Sequence, residues 1–481
     1  MLKKTKKSTK FINAKAFYFA VMLIVIGCST SFGQSITWQK AIIAPGIQYF
    51  HSVIQTPDNG YIAVGRDRES FINDYMYIVR FNENGDTLWS RKLDRDEATS
   101  VIKTNDNNYA LSGVNGSFVK FDINGNILII GNFYDENLRI NKILQVNDGS
   151  YFMCGQYFPG NFYPYLSKYN SDGTKIWDSV YSSSFYLGGY ADMIFSDGYL
   201  ILTGDYFPSG SQPTEIFLVK LNLTGNQLWF TSVPGFFYPN VRSLTEIKSG
   251  SFFVGGNYND LDAFLAKFSN DGSFLWLKGY DTTFSSTNYS IAPTFDGGVL
   301  TCGFNDSISN HPIRVRKIDS NGVDIWKKMY GFFGNTNSAW NIKQTTDSGA
   351  IIVGRTDIQQ DDGYILKLDK NGEYNPIGIN IISTEITSKF SLYQNYPNPF
   401  NAKTTITFEI LNSSNVQLRI FDILGNEINT LLNTTLNPAK YTVNFDGNSY
   451  SSGIYVYQLT VNSLTNKSIL YSKSNKLILL K

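Results

Sequence analysis

The residues that could do chemistry are few. Past position 33 the chain has two histidines, His51 and His311, far apart and out of register with each other. A Ser-His-Asp relay or a histidine-rich metal site is therefore not expected. Gly-x-Ser-x-Gly, His-Glu-x-x-His and phosphate-loop patterns are absent from the sequence. Glycoside hydrolysis would need two converging carboxylates or a tyrosine nucleophile. Asp192 and Asp260 are of the right type, but nothing in the sequence pairs them. The turns Asp369-Lys370-Asn371-Gly372-Glu373 and Asp122-Ile123-Asn124-Gly125-Asn126 have the composition of calcium loops and lack the distal glutamate ligand. No metal, no cofactor and no catalytic residue is expected, and the chain reads as a binding protein rather than an enzyme.

The remaining candidates are aromatic. Tyr157, Phe158, Phe162 and Tyr163 crowd one proline-stiffened segment, Tyr206 and Phe207 a second, and Phe236, Phe237 and Tyr238 a third. Exposed rings on such loops stack on sugars or anchor a protein partner. The competing reading is that they pack on one another and cover the fold. A glycan or a surface protein is the expected ligand. The alternatives are a glycan-active hydrolase or lyase, and a structural surface-layer component.

The elements that carry these loops repeat. Trp89, Trp177, Trp229, Trp276 and Trp326 each stand four residues after a turn glycine. The turn glycines are Gly85, Gly125, Gly173, Gly225, Gly272, Gly322 and Gly372. A second set, Gly65, Gly113, Gly155, Gly204, Gly255, Gly303 and Gly354, ends a strand in each unit. A basic residue precedes every turn glycine by five: Arg80, Lys120, Lys168, Lys220, Lys267, Lys317 and Lys367. These are read as strand residues at a partly exposed edge, making cross-strand pairs. Asn-Gly and Asp-Gly mark tight hairpins because the turn needs positive φ. Four short strands per unit of this length predict propeller blades, which cover each other's faces only when stacked.

Closure sets the count. Ile36-Thr37-Trp38-Gln39-Lys40 looks like the tryptophan strand of a blade, yet no turn precedes it. After Gly372 the tryptophan slot holds Pro376, which cannot donate to a ladder. The N-terminal strand is therefore expected to complete blade seven by pairing with 364–368. The expected fold class is all-β: a seven-bladed β-propeller closed by its N-terminal strand, then a small β-sandwich. Over residues 35–375 the chain resembles the broad class of seven-bladed propellers, with no functional subfamily assigned. Ser269 to Trp276 is faintly similar to the Asp-box of sialidase propellers, but its aspartate and glycine are adjacent and its tryptophan falls one residue late.

The ends speak of export. Residues 1–33 carry six lysines, then an apolar run from Ala16 to Ile26, too short to span a bilayer. Ser31-Phe32-Gly33 places small residues for signal cleavage between Gly33 and Gln34. Val25-Ile26-Gly27-Cys28 also passes as a lipoprotein box, with Cys28 the lipidated residue. The rest of the chain has 35 basic and 40 acidic side chains, a net charge of −5, and no nucleic-acid signature. It contains no membrane span. Cys154 and Cys302 share one slot three repeats apart, too far for a disulfide in a ring, and are expected to be buried core residues.

Residues 376–390 read as a linker with some extended structure. Beyond it come Tyr396-Pro397-Asn398-Pro399-Phe400-Asn401, Asp422-Ile423-Leu424-Gly425 and Ser452-Gly453-Ile454-Tyr455. In this order and spacing they resemble the C-terminal sorting domain of type IX secretion substrates, type A, over residues 391–481. One departure is Ala439-Lys440, where the family often has a glycine. The resemblance implies an Ig-like sandwich, recognition by the type IX machinery, and delivery to the outside or the outer face of a Gram-negative outer membrane. It addresses the propeller without saying what the propeller binds.

Overall fold

A computed structural model describes residues 37–481 except 43–45, 71–72, 95, 132–134, 182–185, 209–213, 237–238, 259–261, 281–288, 305–310, 332–334, 359–360, 375–378, 384–388, 437, 448–449 and 464–467. The expected signal segment with Cys28, Gly33 and Gln34 lies outside the described residues, as do Phe237, Tyr238, Asp260 and Pro376. The described secondary structure is all β. No helix among the described residues is long and apolar enough to cross a membrane.

Short β-branched and aromatic segments separated by Gly turns form four-stranded antiparallel meanders. Six such sheets follow one another over 47–94, 98–131, 138–180, 186–236, 239–280 and 290–330. A seventh consists of Asn337–Gln344, Ala350–Thr356 and Asp362–Leu368, and its fourth strand is Trp38–Ile42. The pairing is antiparallel and runs from Trp38 opposite Lys367 to Ile42 opposite Gly363, as the vacancy after Gly372 requires. The first strands touch in cyclic order, Ile47–Gln55 meeting both Ala98–Lys103 and Asn337–Gln344. Seven of the buried clusters each join residues of two successive sheets. The cluster that closes the circle holds Trp38, Phe50, Tyr61, Ile351 and Ile365.

Six of the seven tryptophans each lie on the turn glycine of the following sheet. Trp38 covers Gly85, Trp89 covers Gly125, and so on to Trp326 over Gly372. In the one slot without tryptophan, Ile129 and Phe118 cover Gly173 together. A Cβ at Gly85 or Gly272 would stand 2.7 or 2.6 Å from the indole, so nothing larger than glycine fits. The same glycines have φ of +73° and +86°, a region that disfavours side chains anyway. Two indole N–H groups find a partner in the facing turn: Trp38 Nε1 donates to Glu83 O at 2.8 Å and Trp89 Nε1 to Ile123 O at 3.1 Å, while Trp326 Nε1 is buried without one among the described residues.

The repeated basic residues differ from the expectation in one respect. Each does stand opposite the tryptophan slot in its ladder, from Arg80 with Trp89 to Lys367 with Trp38. Three of them are more buried than an edge residue, however: Arg80 and Lys367 are 2% exposed and Lys120 8%, while Lys168, Lys220, Lys267 and Lys317 are half-buried. Both Gly turns of a sheet sit at the same end, and in four of the sheets the cation crosses to an aspartate in the first turn, whereas Lys267 of the fifth, whose first turn has no aspartate, donates to Ser320 O at 2.8 Å. The pairs are Arg80–Asp58 at 2.5 Å, Lys120–Asp106 at 2.7 Å, Lys317–Asp296 at 2.5 Å and Lys367–Asp347 at 2.8 Å. Burial opposes ionisation of Asp106, but Lys120 and the Thr104 hydroxyl outweigh it and hold the carboxyl well below its usual range. Cys154 and Cys302 are buried free thiols.

The C-terminal residues form two further four-stranded sheets around one core. One sheet pairs Ile379–Ser383, Ala439–Asp446, Lys403–Ile410 and Ser391–Leu392; the other pairs Glu427–Leu436, Ser414–Phe421, Gly453–Ser463 and Ile469–Leu479. Alternate residues Ile406, Phe408 and Ile410 meet Val416, Leu418 and Ile420 in that core. The extended part of 376–390 is thus a strand of this unit, paired with Ala439–Asp446. Asn395 is buried and holds the Pro-Asn-Pro turn: its N–H donates to Tyr457 OH at 2.8 Å and its Nδ2 to Thr404 Oγ1 at 2.9 Å. Ala439, at the position of the departure, opens its strand and is buried.

Two outcomes follow from the ring. Trp38→Ala is expected to cost about 3–5 kcal/mol, the range for deleting a buried large aromatic, and deletion of 35–42 to melt the whole ring cooperatively; calorimetry showing only local fraying would contradict this. Asp106→Asn is expected to lower the melting temperature by a constant amount between pH 5 and 8. A depressed carboxyl stabilises above its unfolded pKa of about 3.9 and loses that contribution below it, so the gap between wild type and variant should shrink below pH 4.

Candidate functional site

The first strand of six sheets carries an extra residue. Register shifts lie between Phe50 and Ser52, Ala98 and Ser100, Ile140 and Lys142, Tyr190 and Asp192, Val241 and Ser243, and Ala339 and Asn341. The bulged residues are His51, Thr99, Asn141, Ala191, Arg242 and Trp340. In the sixth sheet Tyr289 takes this place, its N–H donating to Cys302 O at 2.9 Å while Ser290 stands opposite Cys302. A bulge pushes the strand toward its partner, and the partner must yield. Gly65, Gly155 and Gly354 stand opposite the residue before the bulge, where a Cβ would come within 2.0, 2.0 and 1.8 Å of a carbonyl oxygen. The repeated strand glycine therefore exists to admit the bulge; in the fifth sheet Gly256 has this role and not Gly255.

The bulge leaves one side chain per sheet less buried than its neighbour; Thr99 Oγ1 meets Ser112 of its own sheet and Asn141 Nδ2 donates to Tyr190 O of the next at 2.8 Å. All seven residues at this position are half-buried or exposed, whereas Phe50, Ala98, Ile140, Tyr190, Val241 and Ala339 before them are buried. The residue after the bulge links the sheets. Ser52 Oγ accepts Val101 N–H at 3.2 Å, Asp192 Oδ2 accepts Leu244 N–H at 2.9 Å, and Ser243 Oγ accepts Ile291 N–H at 3.2 Å. Ser290 Oγ accepts Ile342 N–H at 3.4 Å and Asn341 Oδ1 accepts Val53 N–H at 3.1 Å, which carries the links across the closure. These bonds occupy backbone donors of the innermost strands. Because the strands run from the inter-sheet connections to the first Gly turn, the bulges lie toward the end bearing the variable loops.

Two clusters form at this mouth. Across sheets seven, one and two, His51 stacks on Trp340 with centroids 4.8 Å apart, and Tyr49 meets both rings edge-on. His51 Nε2 abuts the Glu97 carboxylate. Arg66 donates to Tyr49 OH at 2.7 Å and to Glu97 at 3.2 Å, and clasps Asp74 with two bonds of 2.7 Å. Burial works against the Glu97 carboxylate, yet His51 and Arg66 prevail and lower its pKa. Arg355 lies over the other side of the group, 5.8 Å from Trp340. Across sheets four to six, Arg242 covers Tyr289 at 5.2 Å and Tyr289 stacks on Phe304 at 5.6 Å. Asp205 is beside them. Burial pushes its pKa up to about 6, against the opposing pull of Arg242 and of the Val241 N–H. Among the described residues no cluster of His, Cys, Asp and Glu has metal-site geometry.

The residues expected from sequence fare differently. Tyr157 and Tyr163 pair across a hairpin, and at its tip Phe158 and Phe162 stack with centroids 4.3 Å apart. Both tip rings stay partly open to solvent, at 39% and 46%. Tyr206 is corrected from a loop residue to a core one: it is 6% exposed, packs edge-on against Phe217 and Phe230, and donates to Glu215 at 2.8 Å. Phe207 and Phe236 lie in strands, opposite Leu187 and Thr214. The structure does not gather the three aromatic segments into one described surface. The mouth residues escaped notice because each differs from its counterparts. A spacing would have found them: the bulged residue stands 14 before the strand glycine in six sheets, as Trp340 before Gly354, and 13 before it in the fourth.

Comparison with known proteins adds an address. Residues 394–471 match the secretion system C-terminal sorting domain. With this domain the chain is one that is secreted or displayed at the cell surface. No curated protein matches the chain significantly. Among solved structures it is similar to the extracellular domain of a one-component system, BT4673, from B. thetaiotaomicron, at 11% identity and a TM-score of 0.45. That alignment covers 93% of this chain and 59% of the other, so the chain spans well under two thirds of that relative. The WD40 β-propeller domain of Doa1 aligns at 13% identity and TM-score 0.44, over 70% of this chain and 99% of the other. The C-terminal WD40 domain of Sif2 aligns at 12% and 0.42, over 69% and 99%. Likenesses at this level carry nothing about ligands.

Asp205 supplies a test of the mouth's electrostatics. A carboxyl raised in the folded state favours folding least where it must ionise, so stability falls as pH rises from about 3.9 toward its folded value. Asp205→Asn should therefore melt higher than wild type at pH 7 and level with it at pH 4. An equal gap at both pH values would contradict the assignment.

Proposed function

We propose that the chain is an exported binding module: a seven-bladed β-propeller whose mouth takes a glycan or protein ligand, followed by an Ig-like sorting sandwich. Residues 1–33 are read as its signal peptide, cleaved between Gly33 and Gln34. The type IX machinery is read as the exporter and the outer face of a Gram-negative outer membrane, or the medium beyond it, as the destination. The sorting-domain match supports export. The closed cycle of first strands supports the blade count.

One observation carries the binding reading. The positions that build the scaffold repeat around the ring, and the seven side chains at the bulge position of the first strands do not. They are His51, Thr99, Asn141, Ala191, Arg242, Tyr289 and Trp340, a mixture of aromatic, cationic and amide groups suited to one asymmetric ligand. Binding rather than catalysis is favoured because the mouth carboxylates serve each other's cations. Glu97 answers His51 and Arg66, Asp74 answers Arg66 and Arg68, and Asp361 answers Arg355. Asp205 has the raised pKa of a general acid, but the charge acting on it is Arg242 and not a second carboxylate. The exposed Phe158–Phe162 pair is kept as a second, peripheral contact.

A glycan array and a pull-down from outer surface extracts would test this with three proteins. Wild type should bind; Trp340→Ala with Arg242→Ala should lose at least about tenfold, as expected for an aromatic or Arg hot spot; Phe158→Ala with Phe162→Ala should lose less. Loss confined to the Phe158–Phe162 variant would move the site to that hairpin. Binding untouched by either variant, with melting temperatures unchanged, would overturn both.

A further inference from the structure

We propose that the axis of the ring is an anion site, in which Lys142 and Lys343 close from opposite sides on a carboxylate or phosphate group. The site goes beyond the mouth reading and stands whether or not a glycan or protein binds there. Lys142 follows the bulge of the third sheet and Asp192 follows that of the fourth. Lys343 stands three residues past the bulge of the seventh. In a ring of seven, the third and fourth sheets face the seventh across the axis. Lys343 accordingly senses both Lys142 and Asp192, although it lies some 150 residues beyond Asp192 in the chain.

The charges do not balance. Asp192 is fully engaged: Oδ1 accepts Met193 N–H at 2.8 Å and pairs with Lys142 Nζ at 3.0 Å, while Oδ2 accepts Leu244 N–H at 2.9 Å and Ser243 Oγ–H at 3.2 Å. That fills the roughly four acceptor directions of a carboxylate. Lys142 uses one of its three donors on it. Lys343 has no side-chain hydrogen bond or ion pair among the described residues. The equivalent positions in the other sheets bring no further charge. They hold Ser52, Ser100, Ser243, Ser290 and Asn341 after the bulge, and Ile54, Ile102, Leu144, Ile194, Thr245 and Ala292 three past it. Solvent reaches the site, since the Lys142 side chain is 23% exposed and Lys343 half-buried. Burial, and after it Lys142, draws the Lys343 ammonium down to about 8 against the pull of Asp192. An anion between the two ammonium groups would supply the missing charge and the acceptors for five unused donors.

Calorimetric titration of the full chain with inorganic phosphate and with D-glucuronate, at pH 7 and at pH 9, tests this; the probe that binds distinguishes a phosphate source from a carboxylate one. Wild type should bind at least one probe saturably and more weakly at pH 9. Lys343→Met should weaken that binding by at least about tenfold, the loss of one charge-assisted hydrogen bond, and Lys343→Arg should retain it. Without ligand, Lys343→Met should melt no lower than wild type at pH 7. The wild type should then gain relative to it between pH 8 and 9.5, because the folded pKa lies below the unfolded value of about 10.4. No saturable binding of either probe by wild type would overturn the proposal. So would binding that Lys343→Met leaves intact and Arg242→Ala abolishes, which would place the anion at the mouth, or a Lys343→Met melting point well below wild type at pH 7.

Discussion

An indole lying flat on a turn that has no Cβ is the contact from which the rest of the ring follows. The glycine meets two demands at one position, the positive φ of the hairpin and the close approach of the neighbouring ring. The tryptophan meets two as well, filling the gap between sheets and donating its N–H to the facing turn where Trp38 and Trp89 do so. Neither demand alone would fix the angle between sheets. Together they set each sheet against the next, and the same geometry repeated around the axis leaves the seventh sheet short of one strand. Trp38 occupies that place and is the most buried of the six, since it alone ties the first and last parts of the ring together.

The basic residue opposite each tryptophan belongs to the same device. At Arg80, Lys120, Lys317 and Lys367 its charge reaches an aspartate in the adjacent turn, so the two turns at one end of those sheets are held together. These pairs are half-open at the aspartate and buried at the cation. They therefore give definition to the turn end of each sheet more than bulk stability. The opposite end is built on another logic. There a glycine admits a bulge, and the bulge presents a side chain free to vary. A scaffold end with closely similar chemistry in most repeats and a mouth end with different chemistry in every repeat is the division of labour expected when a symmetric frame serves an asymmetric ligand.

The sorting domain shares none of this symmetry. Its core is a single set of alternating residues from two facing sheets. The Tyr-Pro-Asn-Pro segment is anchored through Asn395 to Tyr457 and Thr404, so the motif is a structural turn before it is anything else. The strand 379–383, on the stretch between the ring and the sorting motifs, is already hydrogen-bonded into this unit.

The sequence by itself determined the frame. Turn glycines, tryptophans and cations recur at fixed offsets because each answers a local rule of hairpin geometry or strand pairing, and local rules leave periodic traces. Even the closure was legible, from a tryptophan strand without a turn and a turn without its tryptophan. Burial of Arg80, Lys120 and Lys367 was not legible, because a basic side chain looks the same whether its head meets solvent or a turn carboxylate. Tyr206 misled for the same reason: an aromatic near a proline reads as a loop until packing shows it in the core. The mouth was only half written, in the strand glycine that marks each bulge. Which side chains meet there, such as His51 on Trp340 and Arg242 on Tyr289, depends on the angle through which each sheet turns about the axis. That angle is a property of packing between sheets, and it brings together residues up to about 290 positions apart that share no pattern in the chain.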